Sequence, residues 1–191
     1  EADLGDIVGI TGTVFRTNHG ELSVKAEKYH HLTKALRPLP DKFHGLADVE
    51  ERYRRRYVDL IVNDEARKVA MLRPRIIRAL QHYFDGIGLI EVETPVLQPI
   101  LGGAAARPFV THHNALDLDV FLRISCGELW QKRLMVAGYP KVFEIGRIFR
   151  NEGISPEHAQ DYTQLEFYWA YAGYEDGMRF VERMYRHVAQ E

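Results

Sequence analysis

The chain has 191 residues, of which 46% are hydrophobic and 27% charged, and this composition is typical of one or two globular units. Its formal net charge is −2, so any contact with nucleic acid must come from a local basic patch. The single cysteine excludes an internal disulfide and is typical of a reducing compartment, so we predict a cytoplasmic location. No apolar run is long enough to span a membrane, and we predict no membrane partner.

Residues 4–37 are predicted to form strands. Residues 7–15 are rich in β-branched and aromatic side chains, residues 18–20 are typical of a turn, and residues 21–26 alternate again. This pattern predicts a hairpin, which is too small to close a hydrophobic core alone. The two prolines in residues 37–40 then end the unit and stiffen a linker.

Residues 48–61 are predicted to be helical and contain a dense basic cluster, made of Arg52, Arg54, Arg55 and Arg56. One interpretation is a helix stabilised by ion pairs to Glu50, Glu51 and Asp59. Another is a surface that contacts nucleic-acid phosphates. A third is that Arg56 and Asp59 tie two domains together. The sequence does not decide among them.

A longer helix is predicted over residues 64–84, with Asn63 as its N-cap. Apolar side chains recur along it at three- and four-residue spacing, at Val69, Leu72, Ile76, Leu80 and Phe84. Pro74 lacks a backbone donor, which predicts a kink. Gly86 and Gly88 are expected to end the helix.

Two further helices are predicted, over residues 127–137 and 174–190, and the second has an apolar face of Met178, Val181, Tyr185 and Val188. Between them, residues 143–150 and 164–171 alternate with period two, which predicts neighbouring antiparallel strands.

The alternation predicts that the two faces of this strand pair differ. Leu165, Phe167, Trp169 and Tyr171 share one face, whereas Gln164, Glu166, Tyr168 and Ala170 share the other. Arg150 and Glu152 also share a face. Charged groups on a sheet face indicate either a solvated surface with cross-strand ion pairs or a polar ligand.

The strand pair carries a recognisable set of residues: Phe149-Arg150-Asn151-Glu152, then His158 and Tyr162, then Glu166-Phe167-Tyr168. This set resembles motif 2 of the class II aminoacyl-tRNA synthetases, and more narrowly the lysyl-tRNA synthetase family. Four further stretches are similar to that family in the same order: residues 53–60, 88–95 (motif 1), 102–109 and 111–114.

The resemblance implies an α+β fold, with an antiparallel sheet flanked by helices and preceded by a partial β hairpin. Residues 1–40 would be the end of an OB-fold anticodon-binding domain, residues 41–62 a linker with the basic helix, and residues 63–191 the first part of the catalytic domain. The third class II motif and the magnesium carboxylates are expected beyond Glu191. We therefore expect the sequence to be part of a longer protein, with negligible aminoacylation by residues 1–191 alone.

The activity implied by the resemblance is that of a lysine–tRNA ligase in protein biosynthesis. Such an enzyme activates L-lysine with ATP and Mg²⁺ and transfers it to tRNA(Lys), here as a homodimer through the helix at 64–84 and motif 1. Activation joins a carboxylate to the α-phosphate of ATP, so the protein must neutralise negative charge. Arg150 is the candidate catalytic residue, because its planar fork can hold carboxylate and phosphate together.

The same resemblance implies the ATP-binding residues. Tyr162 would stack on adenine, Glu152 would accept a hydrogen bond from its amine, and His158 would meet the γ-phosphate, alongside Arg150.

For the amino acid, Glu166 and Tyr168 would bind the lysine ammonium, and Glu128 with the backbone near Gly103 would bind the α-amino group, near Arg150. Glu166 would repel a substrate aspartate.

Other interpretations remain open. The alternatives are a synthetase paralogue that lysylates a protein acceptor and a non-catalytic synthetase-like binding module. His112 and His113 are adjacent on a predicted strand and point apart, so we assign no metal ligands. Cys126 is interpreted as a small apolar filler and not as a nucleophile.

Overall fold

The computed structural model describes residues 2–37, 39–40 and 46–191. The chain divides into two compact units, Glu1–Leu72 and Arg73–Glu191. Pro38 and residues 41–45, which include the start of the predicted linker, lie outside the described residues.

The first unit opens with the predicted hairpin, which is confirmed. Strands β1 (Ile7–Arg16) and β2 (Leu22–Thr33) pair antiparallel, with Val14 opposite Val24. Gly20 takes a positive φ of 84° in the connecting turn, a conformation that favours glycine. Val14 and Val24 stay 61% and 47% exposed, as expected of a hairpin that closes no core of its own.

The basic cluster lies on two short helices and not on the single helix that was predicted. Helices α1 (Val49–Arg54) and α2 (Arg56–Val62) are separated at Arg55, whose φ of −113° and ψ of 49° are not helical. The break brings Arg52 of α1 and Arg56 of α2 onto the same buried carboxylate of Asp59, at 2.9 and 2.5 Å. This double ion pair is the physical reason for the broken helix.

The ion-pair interpretation of the basic cluster is confirmed. Arg54 pairs with Glu50 at 3.4 Å and Arg55 pairs with Glu51 at 3.1 Å, one helical turn apart. Burial would raise the pKa of Asp59, but hydrogen bonds led by Arg52 hold that pKa below its ordinary value.

Helix α3 (Asp64–Gly86) begins at the predicted residue and continues two residues beyond the predicted end at Phe84. Asn63 accepts hydrogen bonds at Oδ1 from the backbone amides of Glu65 and Ala66, at 3.1 and 3.3 Å, and so caps the helix. Gly88, with a φ of 78°, ends it in a Schellman motif, in which the Leu89 amide donates to the Phe84 carbonyl at 3.0 Å. The helix continues through Pro74, where the kink remains a prediction.

The remaining elements follow in chain order: β3 (Ile90–Glu91), β4 (Leu97–Gln98), β5 (Val110–His113), β6 (Leu118–Leu122), α4 (Glu128–Val136), β7 (Lys141–Phe149), β8 (Asp161–Trp169) and α5 (Tyr174–Gln190). The strands among them form two sheets of three strands each, in the orders β3-β7-β8 and β4-β6-β5. The predicted antiparallel pairing is confirmed between β7 and β8, whereas β3 is parallel to β7. The second unit thus has the predicted α+β fold.

The hydrophobic core lies between one face of the β7–β8 pair and the two helices α3 and α5. Phe84, Leu89, Phe143 and Phe180 form its buried centre, and Leu165, Phe167 and Trp169 pack against them as the alternation predicted. Tyr171 does not belong to this face, and its prediction was wrong. It follows the end of β8 with a φ of 60°, and its side chain is fully exposed. The opposite face of the strand pair is left for polar groups.

Within the part of the chain that the structure describes, no helix is both long enough and apolar enough to cross a membrane.

Candidate active site

A cavity of about 430 Å³ lies where β7 ends and the loop to β8 begins. Its lining contains all four residues predicted to bind ATP, and the full lining is Arg150, Glu152, Gly153, Glu157, His158, Ala159, Gln160 and Tyr162. The strand pairing explains this convergence. Ile148 lies opposite Tyr162, and the Arg150 amide donates to the Gln160 carbonyl at 2.7 Å, so both ends of the loop are held together.

Arg150 is half-buried at the cavity and has no carboxylate partner among the residues that the structure describes. Its Nε donates to the backbone carbonyl of Ile124 at 3.3 Å, and its guanidinium lies 5.7 Å from the centre of the Tyr162 ring. No ion pair joins Arg150 to Glu152 within the described chain, although the two residues are close in sequence. The guanidinium charge is available to an anion.

Glu152 joins the cavity to an earlier part of the chain. Its Oε1 accepts from the Arg107 amide at 3.4 Å, and the neighbouring Asn151 amide donates to the Arg107 carbonyl at 2.8 Å. These bonds explain how residues 102–109, far away in sequence, come to stand beside motif 2.

Glu166 and Tyr168 lie further along β8 on the same face as Tyr162. Glu166 is half-buried, and its Oε1 accepts from the Cys126 amide at 3.3 Å. Burial raises the pKa of Glu166, and the nearby carboxylates of Glu128 and Glu144 raise it further. A half-buried carboxylate beside other carboxylates is stabilised by a nearby cation.

Glu128 and Gly103 lie side by side, as the predicted amino-acid site requires. Gly103 has a φ of 92°, and a Cβ at this position would stand 2.9 Å from Oε2 of Glu128 and still closer to Oγ of Ser125. The other carboxylate oxygen of Glu128 accepts from Lys132 at 2.6 Å. Burial raises the pKa of Tyr168, and the negative charge of Glu128 raises it further. Glu128 is therefore close enough to Tyr168 to act on it electrostatically.

Comparison with known proteins identifies the family. The sequence model described as "tRNA synthetases class II (D, K and N)" matches residues 48–191. The chain belongs to this family. The match confirms the class II fold that the motifs predicted.

Individual relatives within this family are similar to the chain over its whole length. The chain is 60% identical over 191 residues to a lysine–tRNA ligase of Lysinibacillus sphaericus, and 57% identical over 190 residues to those of Bacillus subtilis and Staphylococcus aureus. Each match covers 100% of this chain and 38% of the relative. The chain thus spans 38% of the length of these curated relatives.

A buried polar network in the second unit was missed from the sequence. Glu144 is 3% exposed and forms an ion pair with Arg123, and its Oε2 accepts from the Thr94 hydroxyl at 2.7 Å. Arg123 Nε donates to the Arg147 carbonyl at 2.8 Å. The available signal was that Arg123 and Glu144 each stand between apolar neighbours, since buried charges need partners.

Cys126 is fully buried in this synthetase chain, with Sγ 3.3 Å from the Gln164 carbonyl oxygen. Burial raises the pKa of its thiol to about 11, so the sulfur stays protonated at neutral pH. This supports its interpretation as a filler.

His112 is held by two aspartates on the second sheet. Its Nδ1 lies 2.9 Å from Asp119 and its Nε2 lies 3.4 Å from Asp117. Over residues 2–37, 39–40 and 46–191, no three His, Cys, Asp or Glu side chains stand close enough together to hold a metal ion.

Proposed function

We propose that a protein carrying this chain is a lysine–tRNA ligase, which uses ATP to activate L-lysine and then transfers the lysyl group to tRNA(Lys). One observation carries the proposal. The polar face of β8 has the Arg150 cavity at one end and the carboxylate of Glu166 at the other, four residues beyond Tyr162. Four strand residues span roughly 13 Å, which suits a nucleotide and an amino acid laid end to end.

The reaction forms a bond between the lysine carboxylate and the α-phosphate and breaks the bond to pyrophosphate. All reacting groups are negative, so a fixed cation lowers the barrier most. Arg150 supplies that cation, because its guanidinium lies at the cavity without a carboxylate partner in the described chain. Its bond to the Ile124 carbonyl holds it in place before substrates bind.

In the proposed nucleotide pose, adenine stacks on Tyr162 and donates from its amine to Glu152, while His158 contacts the γ-phosphate. All three side chains line the cavity that Arg150 closes. Magnesium would share the phosphate charge, but the residues that the structure describes offer no cluster of ligands to hold it, and no step is assigned to it.

The choice of lysine rests on Glu166. Its carboxylate forms no ion pair with the described residues, and the lysine ammonium provides a cation to pair with it. Tyr168 adds a hydroxyl, and Glu128 beside Gly103 accepts from the α-amino group. Aspartate would be repelled, and asparagine would leave the carboxylates unneutralised. The names of the relatives favour this proposal over a paralogue with a protein acceptor or a binding module without activity.

Contacts with tRNA are proposed for the first unit. The domain limits proposed are an OB-fold remnant at 1–40, a linker and basic helix at 41–62, and the catalytic part from 63 to 191. Arg52 and Arg56 are committed to Asp59, but Arg54 and Arg55 have exposed side chains paired with glutamates that are themselves at least partly exposed. Such pairs are weak, so tRNA phosphates can displace the glutamates there. We propose a cytoplasmic location for a protein with these roles.

A homodimer is proposed through α3 and the motif 1 segment that follows it. Val69, Leu72 and Ile76 on α3 are 66%, 48% and 38% exposed, which is a large apolar strip to leave in water. A second copy would cover it by two-fold symmetry. Light scattering is expected to show a dimer that Leu72→Lys converts to a monomer. A monomer at high concentration would count against the proposal.

Calorimetry on the chain tests the substrate assignments. Lysine is expected to bind, whereas aspartate and asparagine are not, and Arg150→Ala is expected to weaken ATP binding. Arg147→Ala is the matched control, because Arg147 lies on β7 three residues before Arg150, and its exposed side chain pairs with Asp161 at 2.9 Å. Equal binding of the three amino acids would remove the lysine assignment.

A further inference from the structure

The loop between β7 and β8 contains a hydrogen bond between the side chains of Ser155 and His158. Oγ of Ser155 lies 2.7 Å from Nδ1 of His158, and the same oxygen accepts from the Glu157 amide at 3.2 Å. The His158 amide in turn donates to the Ser155 carbonyl at 3.2 Å, which closes a tight turn. Backbone and side chain together fix where the imidazole stands.

We propose that Ser155 is a positioning residue for nucleotide binding, which acts by orienting His158. The inference rests on the proposed ATP site. With Nδ1 engaged by Ser155, Nε2 is the ring nitrogen that has no partner among the described residues, and His158 lines the cavity. Nε2 is therefore the nitrogen that meets a phosphate.

The hydroxyl of Ser155 serves both charge states of the ring. When His158 is neutral, the hydroxyl donates to Nδ1, so the ring proton resides on Nε2 and is donated to the phosphate. When the ring is charged, the hydroxyl accepts from Nδ1 and Nε2 still carries a proton. Nε2 thus remains a donor at either pH.

Without Ser155 the two charge states would behave differently. Attraction between an imidazolium and a phosphate depends weakly on orientation, whereas a neutral imidazole must present N–H and not its lone pair. The other charged or titratable side chains lining the cavity are Arg150, Glu152, Glu157 and Tyr162, and none of them contacts Nδ1. Removing the hydroxyl is therefore expected to weaken ATP binding most at a pH where histidines are neutral.

The first experiment measures ATP binding to the chain by calorimetry at pH 5.5 and pH 8, on either side of the range in which histidines change charge. Ser155→Ala is expected to weaken binding roughly two- to tenfold at pH 8, as for loss of one hydrogen bond, and less at pH 5.5. Ser155→Thr keeps the hydroxyl and is expected to restore binding. Asp161→Asn, at the other end of the loop and outside the cavity lining, is the control and should change neither value.

A double-mutant cycle separates positioning from a purely structural role of Ser155. If the hydroxyl acts through His158, Ser155→Ala has no further effect in a His158→Ala background. If Ser155 only shapes the loop, its loss costs the same in both backgrounds, and the proposal is overturned. Equal losses at the two pH values would also overturn it.

A measurement without nucleotide keeps this proposal distinct from the ATP assignment. Side-chain nitrogen NMR at pH 8, with the His158 signal identified by its loss in His158→Ala, is expected to show the proton on Nε2 and Nδ1 as a hydrogen-bond acceptor. Ser155→Ala should shift the signal toward exchange between tautomers. A proton on Nδ1 in the unmodified chain contradicts the positioning role, whereas the expected NMR result without ATP binding contradicts the proposed function and leaves Ser155 an orienting residue with another ligand.

Discussion

Glu144 and Glu166 stand directly opposite each other on β7 and β8, but of the two only Glu144 forms an ion pair within the described chain. Like charges opposite each other on a sheet are destabilising. Arg123 forms an ion pair with Glu144, whereas Glu166 has no ion pair in the described chain and burial raises its pKa. Glu144 is thus a structural carboxylate, and Glu166 is the one that we propose binds a cationic substrate.

Lysine binding should depend on the charge of Glu166. Glu166→Gln leaves the ammonium without its charged partner and is expected to weaken lysine binding by about 2–5 kcal/mol, as for truncation of one member of a buried charge pair. Calorimetry with lysine measures this loss, and norleucine, which lacks the ammonium, should not distinguish the two proteins. Unchanged lysine affinity would remove Glu166 from the pocket.

The same substitution should stabilise the free protein near neutral pH. Burial raises the pKa of Glu166 above its ordinary value of 4.5, so the folded state holds this proton more tightly than the unfolded state. The resulting stability is present below pH 4.5 and is lost as the pH rises through the raised value. Water screens the half-buried side chain, so Glu166→Gln is expected to raise the free energy of unfolding at pH 7 by less than about 1 kcal/mol. Urea unfolding should show this gain shrinking toward pH 4, and a gain that grows there would contradict the account.

Removal of Arg123 should be costly because it leaves Glu144 buried without a cation. Arg123→Met is expected to lower the free energy of unfolding by about 3–5 kcal/mol, and Arg123→Met with Glu144→Gln should recover much of it. Arg147→Ala, which breaks the exposed pair with Asp161, is the control and should cost less than about 1 kcal/mol. Equal losses of unfolding free energy for Arg123→Met and Arg147→Ala in chemical denaturation would show that the buried network stabilises the fold no more than an exposed ion pair does.

A side chain at position 103 should disturb Glu128. Gly103→Ala forces a positive φ on alanine, at roughly 1–2 kcal/mol, and places Cβ against Ser125 and Glu128. Loss of the Glu128 contact is expected to weaken lysine binding roughly tenfold. Gly102→Ala is the matched control, because a Cβ there meets nothing within 4 Å. Calorimetry and thermal unfolding of both variants decide, and equal behaviour would separate Gly103 from the site.

Much of the fold followed from local patterns in the sequence. Asn63 caps α3 because a short polar side chain can reach the first free amides. The apolar residues of β7 and β8 share one face of their sheet because side chains alternate along a strand with period two. Tyr171 departed from its pattern because the strand had already ended. The period of a strand or helix predicts side-chain orientation only for residues within that strand or helix.

The parts that could not be predicted depend on residues far apart in the chain. Arg123 directly follows β6 and Glu144 lies on β7, and although each is flanked by apolar residues, no spacing in the sequence shows that the two form a pair. The break at Arg55 follows from two arginines sharing Asp59, which competes with the continuous helix that propensity favoured. The bond between Ser155 and His158 is local, but it lies in a loop with no periodicity.

The central claim is that Arg150 and Glu166, on one sheet face, unite ATP with lysine. The most direct test is single-turnover formation of lysyl-adenylate by a chimera in which this chain replaces the matching 190 residues of the Bacillus subtilis lysine–tRNA ligase. The account predicts adenylate with lysine but not with aspartate or asparagine, and a loss of about 100-fold or more in the Arg150→Ala chimera, purified in the same way. A folded chimera that forms no lysyl-adenylate, or one that forms it equally well after Arg150→Ala, would contradict the claim.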